Sequence, residues 1–260
     1  MGESFDKEAP VAELETGMPE HVHMLVTCMV DAFYPAVGVS VAEILEAHGI
    51  SVEFSPDQTC CGQPAFNGGF RSDARAMARH TLDVFSMTDG PIVVPSGSCV
   101  DMIVNHYPEI LKDDAEYVST AQDVAARTHE FTQFLVDKLG LTDVGARFSG
   151  RAAYHPSCHG LRSLNIREQP QTLLAHVEGM QQVELPCAEE CCGFGGLFSV
   201  TMSAISGDIL ERKLNHLIES GVDLLVGTDV SCLMHMAGGL QRRGSRIEVK
   251  HIAELLNERG

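Results

Sequence analysis

Tryptophan is absent from this sequence, and lysine occurs only five times, at positions 7, 112, 138, 213 and 250. With 18 basic residues against 36 acidic ones, the formal charge is −18. A surface of that sign repels phosphate backbones and anionic headgroups, which argues against nucleic acid as a partner. The acids are dispersed along the chain, the pattern of a protein kept soluble in high salt or of a plain acidic surface. There is no run of roughly 18 apolar residues, so no transmembrane segment is expected. Residues 1–20, MGESFDKEAPVAELETGMPE, lack the apolar stretch of an export signal and read as a disordered acidic leader. The expected location is therefore cytoplasmic. Neither a G-x-x-x-x-G-K-[ST] phosphate loop nor a G-x-G-x-x-G after a strand occurs, so nucleotide binding by this chain has no support.

What the sequence does have is cysteine: nine of them, at 28, 60, 61, 99, 158, 187, 191, 192 and 232. In a reducing compartment, clustered cysteines are metal ligands or redox groups rather than disulfides. Eight of them form a series that occurs twice. Cys28 and Cys158 are offset by 130 positions, Cys60/Cys61 and Cys191/Cys192 by 131, and Cys99 and Cys232 by 133. Four cysteines recurring in order at a nearly constant offset mark an internal duplication. The halves are expected at 21–148 and 149–260, after the leader. Cys187 has no counterpart; it reads as a structural cysteine or an extra ligand.

The flanking segments repeat as well. HVHMLVT before Cys28 and RAAYH before Cys158 read as short buried strands, each delivering its cysteine at the strand end. PIVVPSGSC and VDLLVGTDVSC are apolar runs followed by small residues, with the last cysteine opening a helix. SVAEILEAHG predicts a helix with Ser40 and Glu43 as a capping box and a stop at Gly49. Met202, Ile205, Ile209, Leu210, Leu214, Leu217 and Ile218 predict one apolar face of a long helix ending at Gly221. THEFTQFLVDKLG and VKHIAELLNERG close the two halves with comparable helices. Alternating strands and helices predict an α/β fold with a small parallel sheet flanked by helices in each half. In such sheets function collects at the carboxyl ends of strands, where the cysteine loops would gather.

Thiolates suit zinc, copper(I) or iron–sulfur clusters. Zinc sites usually draw on C-x2-C knuckles, and bacterial ferredoxins on a C-x2-C-x2-C-x3-C run. This chain contains no C-x2-C; its ligand gaps are 31, 0 and 37 residues in one half and 32, 0 and 39 in the other. Adjacent cysteines bound to different irons of one cluster fit that spacing better. A zinc-stabilised scaffold and plain buried thiols are the alternatives. The glycine after each pair leaves room for backbone N–H groups to approach the sulfurs.

The motifs CCGQPAFNGG (60–69), PSGSC (95–99), YHPSCH (154–159), CCGFGGLFSV (191–200) and DVSC (229–232), with VTC (26–28) and VKHIAELL (249–256), resemble those of the CCG-domain, or cysteine-rich domain, family. That family includes the B subunit of heterodisulfide reductase and, in closer likeness, the iron–sulfur subunits of L-lactate utilisation systems. The resemblance covers the chain from about residue 21 to its end. It implies [4Fe-4S]-type iron–sulfur clusters, one per half, on Cys28, Cys60, Cys61 and Cys99 and on Cys158, Cys191, Cys192 and Cys232. It implies a subunit of an oxidoreductase complex oxidising L-lactate to pyruvate. The partners it implies are a ferredoxin-type iron–sulfur subunit and a third small subunit. Heterodisulfide reductase-like and glycolate- or glycerol-3-phosphate-oxidising complexes are the related alternatives. The heterodisulfide reductase relatives end their ligand series with Cys-x-x-Cys, whereas Ser96 and Asp229 stand at the first position of that pair here. Asp229 thus becomes a candidate extra ligand, and cluster type is left open.

No catalytic residue is assigned from sequence. His155 and His159 flank Cys158 and are candidates to ligate iron, hydrogen-bond a sulfur or carry a proton, or are simply loop histidines. Arg162 and Arg167 are candidates to clamp the carboxylate of a small hydroxy acid, or are surface salt-bridge partners.

Overall fold

The structure is a computed structural model that describes residues 18–259, so the expected leader at 1–20 lies outside the described residues except for its last three. Two four-stranded sheets carry the chain. The first comprises β1 (His21–Met24), β2 (Ser51–Glu53), β3 (Ile92–Val94) and β4 (Thr128–Glu130) in the order β2-β1-β3-β4. The second comprises β5 (Arg147–His155), β6 (Glu178–Gln182), β7 (Leu224–Gly227) and β8 (Glu248–His251) in the order β6-β5-β7-β8. Every pairing is parallel. The two orders are the same, so the duplication read from cysteine spacing is a duplication of topology.

The topology explains why residues more than 30 positions apart meet. Cys28 follows β1, Cys60 and Cys61 follow β2, and Cys99 follows β3, and these three strands are neighbours running the same way. Their carboxyl ends lie side by side, so the loops that leave them share one edge of the sheet. β5, β6 and β7 do the same for Cys158, Cys191/Cys192 and Cys232.

The closing helices cross over. Ile252–Leu256 packs on helix Pro35–Ala47 of the first half, while the helical stretch Phe131–Lys138 packs on helix Glu168–Ala175 of the second. Ile44, Leu45, Phe134, Leu135, Leu255 and Leu256 are at most 1% exposed in one core cluster drawn from both halves. At about 1.5–3 kcal/mol per buried apolar side chain, these six contribute on the order of 10 kcal/mol, comparable to the net stability of a whole domain. The halves therefore hold together as one unit. Each half also keeps a cluster of its own beneath its cysteine loops.

Four helix expectations need correction. The two closing segments open as strands, Thr128–Glu130 as β4 and residues 249–251 within β8, and their helices start only at Phe131 and Ile252. The helix expected to start at Ser40 begins at Pro35, whose fixed φ suits the first turn; Ser40 is buried inside it and caps nothing. In helix Ser203–Glu219 the buried stripe is Ser206, Leu210, Lys213, Leu214 and Leu217, whereas Ile205 and Ile218 are exposed. The equivalent stripe of helix Arg71–Ser86 is Ala74, Ala78, Thr81, Leu82 and Phe85, a constant offset of 132. Burial follows the repeat more faithfully than it follows hydrophobicity.

Candidate metal centre

The four cysteines of each half form a chain of sulfur contacts. In the first half the Cys28 and Cys61 thiols flank Cys60, and the Cys61 thiol donates to Cys99 Sγ at 3.4 Å. In the second, Cys158 and Cys192 donate to Cys191, and Cys192 also meets Cys232. The bridging sulfurs Cys60 and Cys191 are held well below the ordinary thiol range, first by these thiol donors and then by a backbone N–H. The outer members, Cys28 and Cys158, are pushed up by the same hydrogen bonds and by burial.

Local backbone sets this geometry. Thr27 holds φ at +74°, a conformation that costs a non-glycine residue on the order of 1 kcal/mol, and its side chain caps the helix that Cys28 opens. Gln58 ties the loop down: it accepts from Val26 N at 2.7 Å and donates to Met24 O at 3.1 Å. Gly193 lies at φ +90° and donates its N–H to Cys191 Sγ at 3.3 Å. A Cβ there would stand 2.6 Å from the Ser206 carbonyl, so only glycine lets the backbone reach the sulfur.

The two loops are anchored by different groups. Tyr107 donates its hydroxyl to Cys61 O at 2.8 Å. In the second half the ammonium of Lys213, 1% exposed, donates to the carbonyls of Cys187, Ala188 and Glu190 at 3.2, 2.5 and 3.3 Å. Burial lowers the Lys213 pKa.

Two cavities open beside the sulfurs and share Gln63, Ser98, Phe194, Gly196 and Ser231 as a common wall. One, about 430 Å³, is lined by Cys28, Cys60, Cys61 and Cys99. The other, about 80 Å³, is lined by Cys158, Cys191, Cys192 and Cys232 together with Gln63 and Asn67 of the first half. The sites thus lie where the halves face each other. There the short helix Gly97–Asp101 packs against the turn His159–Ser163, and a Cβ on Gly97 would stand 3.1 Å from Gly160 Cα.

Both candidate histidines belong to this region. His155 is 1% exposed, has no partner for either ring nitrogen among the described residues, and offers one within 4.8 Å of the Cys192 and Cys232 sulfurs. Burial holds its pKa down to about 3, so the imidazole is neutral. A neutral, buried imidazole with both nitrogens free beside two thiols suits a bound metal group. His159 lines the smaller cavity, and its Nδ1–H donates to Asp101 Oδ2 at 2.5 Å. That hydrogen bond, more than any other interaction, raises the His159 pKa. Asp101 also accepts from Asn105 at 2.6 Å, and these donors hold its carboxyl below the usual range against burial.

Four further candidates are placed as follows. Asp229 is buried at the smaller cavity, but both its oxygens are engaged. Oδ1 accepts from Ser231 N and Oγ at 3.1 and 2.6 Å, and Oδ2 from Ser96 Oγ and Ser98 N, both at 3.1 Å. It caps its own helix and bridges to the other half. Cys187 is exposed and lines neither cavity; its sulfur lies instead within 4.8 Å of a ligand atom each of Glu190 and His216. Arg162 is exposed and donates to Glu189 O, Arg167 pairs with the Glu189 carboxylate, and neither residue lines either of these two cavities. Sequence reasoning missed Lys213, Tyr107, Asp101 and Gln63. Lys213 alone left a signal, as a rare lysine in the middle of an apolar helical stripe.

Fold and site together define a duplicated α/β protein with one four-cysteine centre per half. The cysteine-rich domain family model (CCG) matches residues 22–104 and 152–237. The chain is 46% identical over 239 residues to "Lactate utilization protein A" of Shouchella clausii, covering 92% of this chain and 99% of that one. It is 45% identical over 238 residues to the protein of the same name from a Geobacillus species, with the same coverage, 92% and 99%. The counterpart from Halalkalibacterium halodurans is 44% identical over 236 residues, 91% of this chain and 96% of that one. The chain belongs to the CCG cysteine-rich domain family. Among solved structures, a hypothetical protein from Helicobacter pylori has the same fold, with a TM-score of 0.63 at 10% identity. That match covers 92% of this chain and 49% of the Helicobacter one.

Proposed function

We propose that this protein is the iron–sulfur subunit of an oxidoreductase complex that oxidises L-lactate to pyruvate. The observation that carries the reading is the pair of four-thiol chains, each beside a cavity, in a chain collinear with relatives named for lactate utilisation. Cys28, Cys60, Cys61 and Cys99 hold one cluster, and Cys158, Cys191, Cys192 and Cys232 the other, within domains at 21–148 and 149–260. The donor set fits such a group: four converging thiols, a backbone N–H on a bridging sulfur and, in the second half, an unpartnered imidazole. When bound, the clusters supply one-electron transfer. A ferredoxin-type subunit and a third small subunit complete the complex, in the cytoplasm.

The chain's own residues prepare the cavity. Lys213 and Tyr107 fix the Cys-Cys loops through their carbonyls, so the thiols are oriented before anything binds. Removing two electrons from lactate releases two protons, from the hydroxyl and from the adjoining carbon. His159, with Nδ1 held on Asp101 and Nε2 3.4 Å from the Gln63 amide nitrogen, is placed to take one of them, and the other passes to water.

The test is anaerobic purification followed by iron, sulfide and zinc analysis, EPR, and lactate-dependent reduction with the partner subunits. About eight iron and eight sulfide per chain, two four-iron clusters, is the expected result. Zinc without sulfide overturns it and leaves a metal-stabilised scaffold. Loaded clusters that lactate does not reduce keep the cofactor and refute the substrate.

A further inference from the structure

A second cluster of ligating side chains lies at the other end of the first sheet, at the amino-terminal edge of β1, away from every cysteine. His21 and His23 are two apart on a strand and so project from the same face. Asp89 reaches them from the loop that enters β3, the neighbour of β1 on one side. On the other side β2 pairs Glu53 directly with His23. One ligand atom each from His21, His23 and Asp89 falls within 4.8 Å of the others. Asp89 Oδ1 is 3.1 Å from His21 Nε2 and 4.0 Å from His23 Nε2. A tetrahedral zinc with nitrogen ligands at about 2.0–2.1 Å sets its ligand atoms about 3.3 Å apart, between those two separations.

His23 supplies the independent observation. The residue is 7% exposed, and its Nε2 is buried with no hydrogen-bond partner among the described residues. A buried ring nitrogen left unpaired costs on the order of 1–3 kcal/mol, so its direction toward His21 and Asp89 needs a reason. Its other nitrogen, Nδ1, faces Glu53 Oε2 at 3.6 Å. A carboxylate behind one imidazole nitrogen with the second nitrogen free is the arrangement that orients a metal-bound histidine. The nearby guanidinium of Arg127 donates to Gly90 O at 2.9 Å, beside Asp89, and its charge is opposed by the carboxylates of Asp89 and Glu53.

We propose that His21, His23 and Asp89 form a binding site for a divalent transition metal of the zinc class, with Glu53 supporting His23 and a fourth coordination position open to solvent. The site joins β1 to β2 and to the loop before β3. Two imidazoles and a carboxylate suit zinc and its neighbours, whereas the cysteine loops offer sulfur, so the sites differ in ligand chemistry as well as position.

That difference decides the experiment. Zinc is titrated into the anaerobically purified full chain, binding is followed by calorimetry, and the zinc X-ray absorption spectrum is recorded on the loaded protein. The expected result is about one zinc per chain with only nitrogen and oxygen neighbours, near 2.0–2.1 Å. Asp89→Asn and His21→Gln each weaken binding at least tenfold, and Glu53→Gln weakens it roughly 10–100-fold. Asp89 has a 90% exposed side chain, so its substitution leaves the fold intact. Sulfur neighbours near 2.3 Å, unchanged affinity in Asp89→Asn, or no binding would each overturn the proposal. An absence of iron and sulfide would refute the cluster reading above while leaving a nitrogen–oxygen zinc spectrum to stand by itself.

Discussion

Replacing Lys213 with methionine tests whether the second Cys-Cys loop is held by a buried ammonium. Methionine fills similar volume but donates nothing, so the carbonyls of Cys187, Ala188 and Glu190 lose their shared donor. Cys187 O keeps the Glu190 N–H at 3.0 Å, so two part-buried carbonyls, Ala188 O and Glu190 O, are left without a donor. At about 1–3 kcal/mol each, that costs roughly 2–6 kcal/mol. Against this, removing the ammonium relieves a desolvation penalty of several kcal/mol. The net expectation is a loss of about 1–2 kcal/mol, with the loop itself loosened. With a urea dependence of about 3 kcal/mol per molar, the unfolding midpoint falls by roughly 0.5 M. The assay is urea unfolding of the metal-free, reduced protein under anaerobic conditions, followed by circular dichroism. The slope should be unchanged, since the same surface is exposed. A variant within about 0.5 kcal/mol of the parent, the range of ordinary surface substitutions, would refute the anchoring role.

Gly97→Ala puts a Cβ about 3.1 Å from Gly160 Cα and N, both backbone atoms that cannot swing aside. The same unfolding assay should register a loss of about 1–3 kcal/mol from overpacking, and an unchanged midpoint would mean the two helices are free to separate. His251, 1% exposed, has its pKa lowered by burial from 6.5 to about 4. The unfolded chain therefore takes up the proton first; stability is complete above pH 6.5 and falls, by about 3 kcal/mol from this residue, as the pH drops toward 4. Asparagine at 251 keeps an acceptor for Ala253 N and cannot titrate, so His251→Asn should flatten that acid limb, and a profile parallel to the parent's would contradict the assignment.

The sequence was legible where one signal carried one element. Buried apolar runs bounded by turn residues marked β3 and β7, because a strand covered on both faces is apolar throughout, while β1 and the buried end of β5 showed the pattern only in part, with histidines among their residues. β2, with three residues, and β6, EGMQQ, are sheet edges, short or polar, and carry no such pattern. Ser40 followed by Glu43 matched a capping box, yet Pro35 five residues earlier fixes the helix start and leaves Ser40 within the helix. The exchange of closing helices between halves was invisible, because an amphipathic stripe states that a face is buried and not against what. Sulfur adjacency followed from topology as soon as the strands were known. The lines from His159 to Asp101, and from Asp229 to Ser96 and Ser98, cross between halves and leave no local trace.

What duplication preserved and what it changed divide along physical lines. The apolar positions of the paired helices repeat at offset 132, and Leu82 and Leu214 occupy the same place beneath their cysteine loops. Close packing makes those positions intolerant of change in volume. The buried polar positions diverged. At the sulfur-facing strand ends Leu25 is matched by His155, in the helix stripe Thr81 by Lys213, and at the helix cap Ser96 by Asp229. The first four thiols therefore have leucine, threonine and serine at positions where the second four have an unpartnered imidazole, a buried ammonium and a buried carboxylate. Charges act over longer distances in a protein interior than in water, so these substitutions reach the sulfurs without touching them. The loops are copies in geometry but not in field: the ammonium of Lys213 favours negative charge on the second set, and nothing at Thr81 does so for the first.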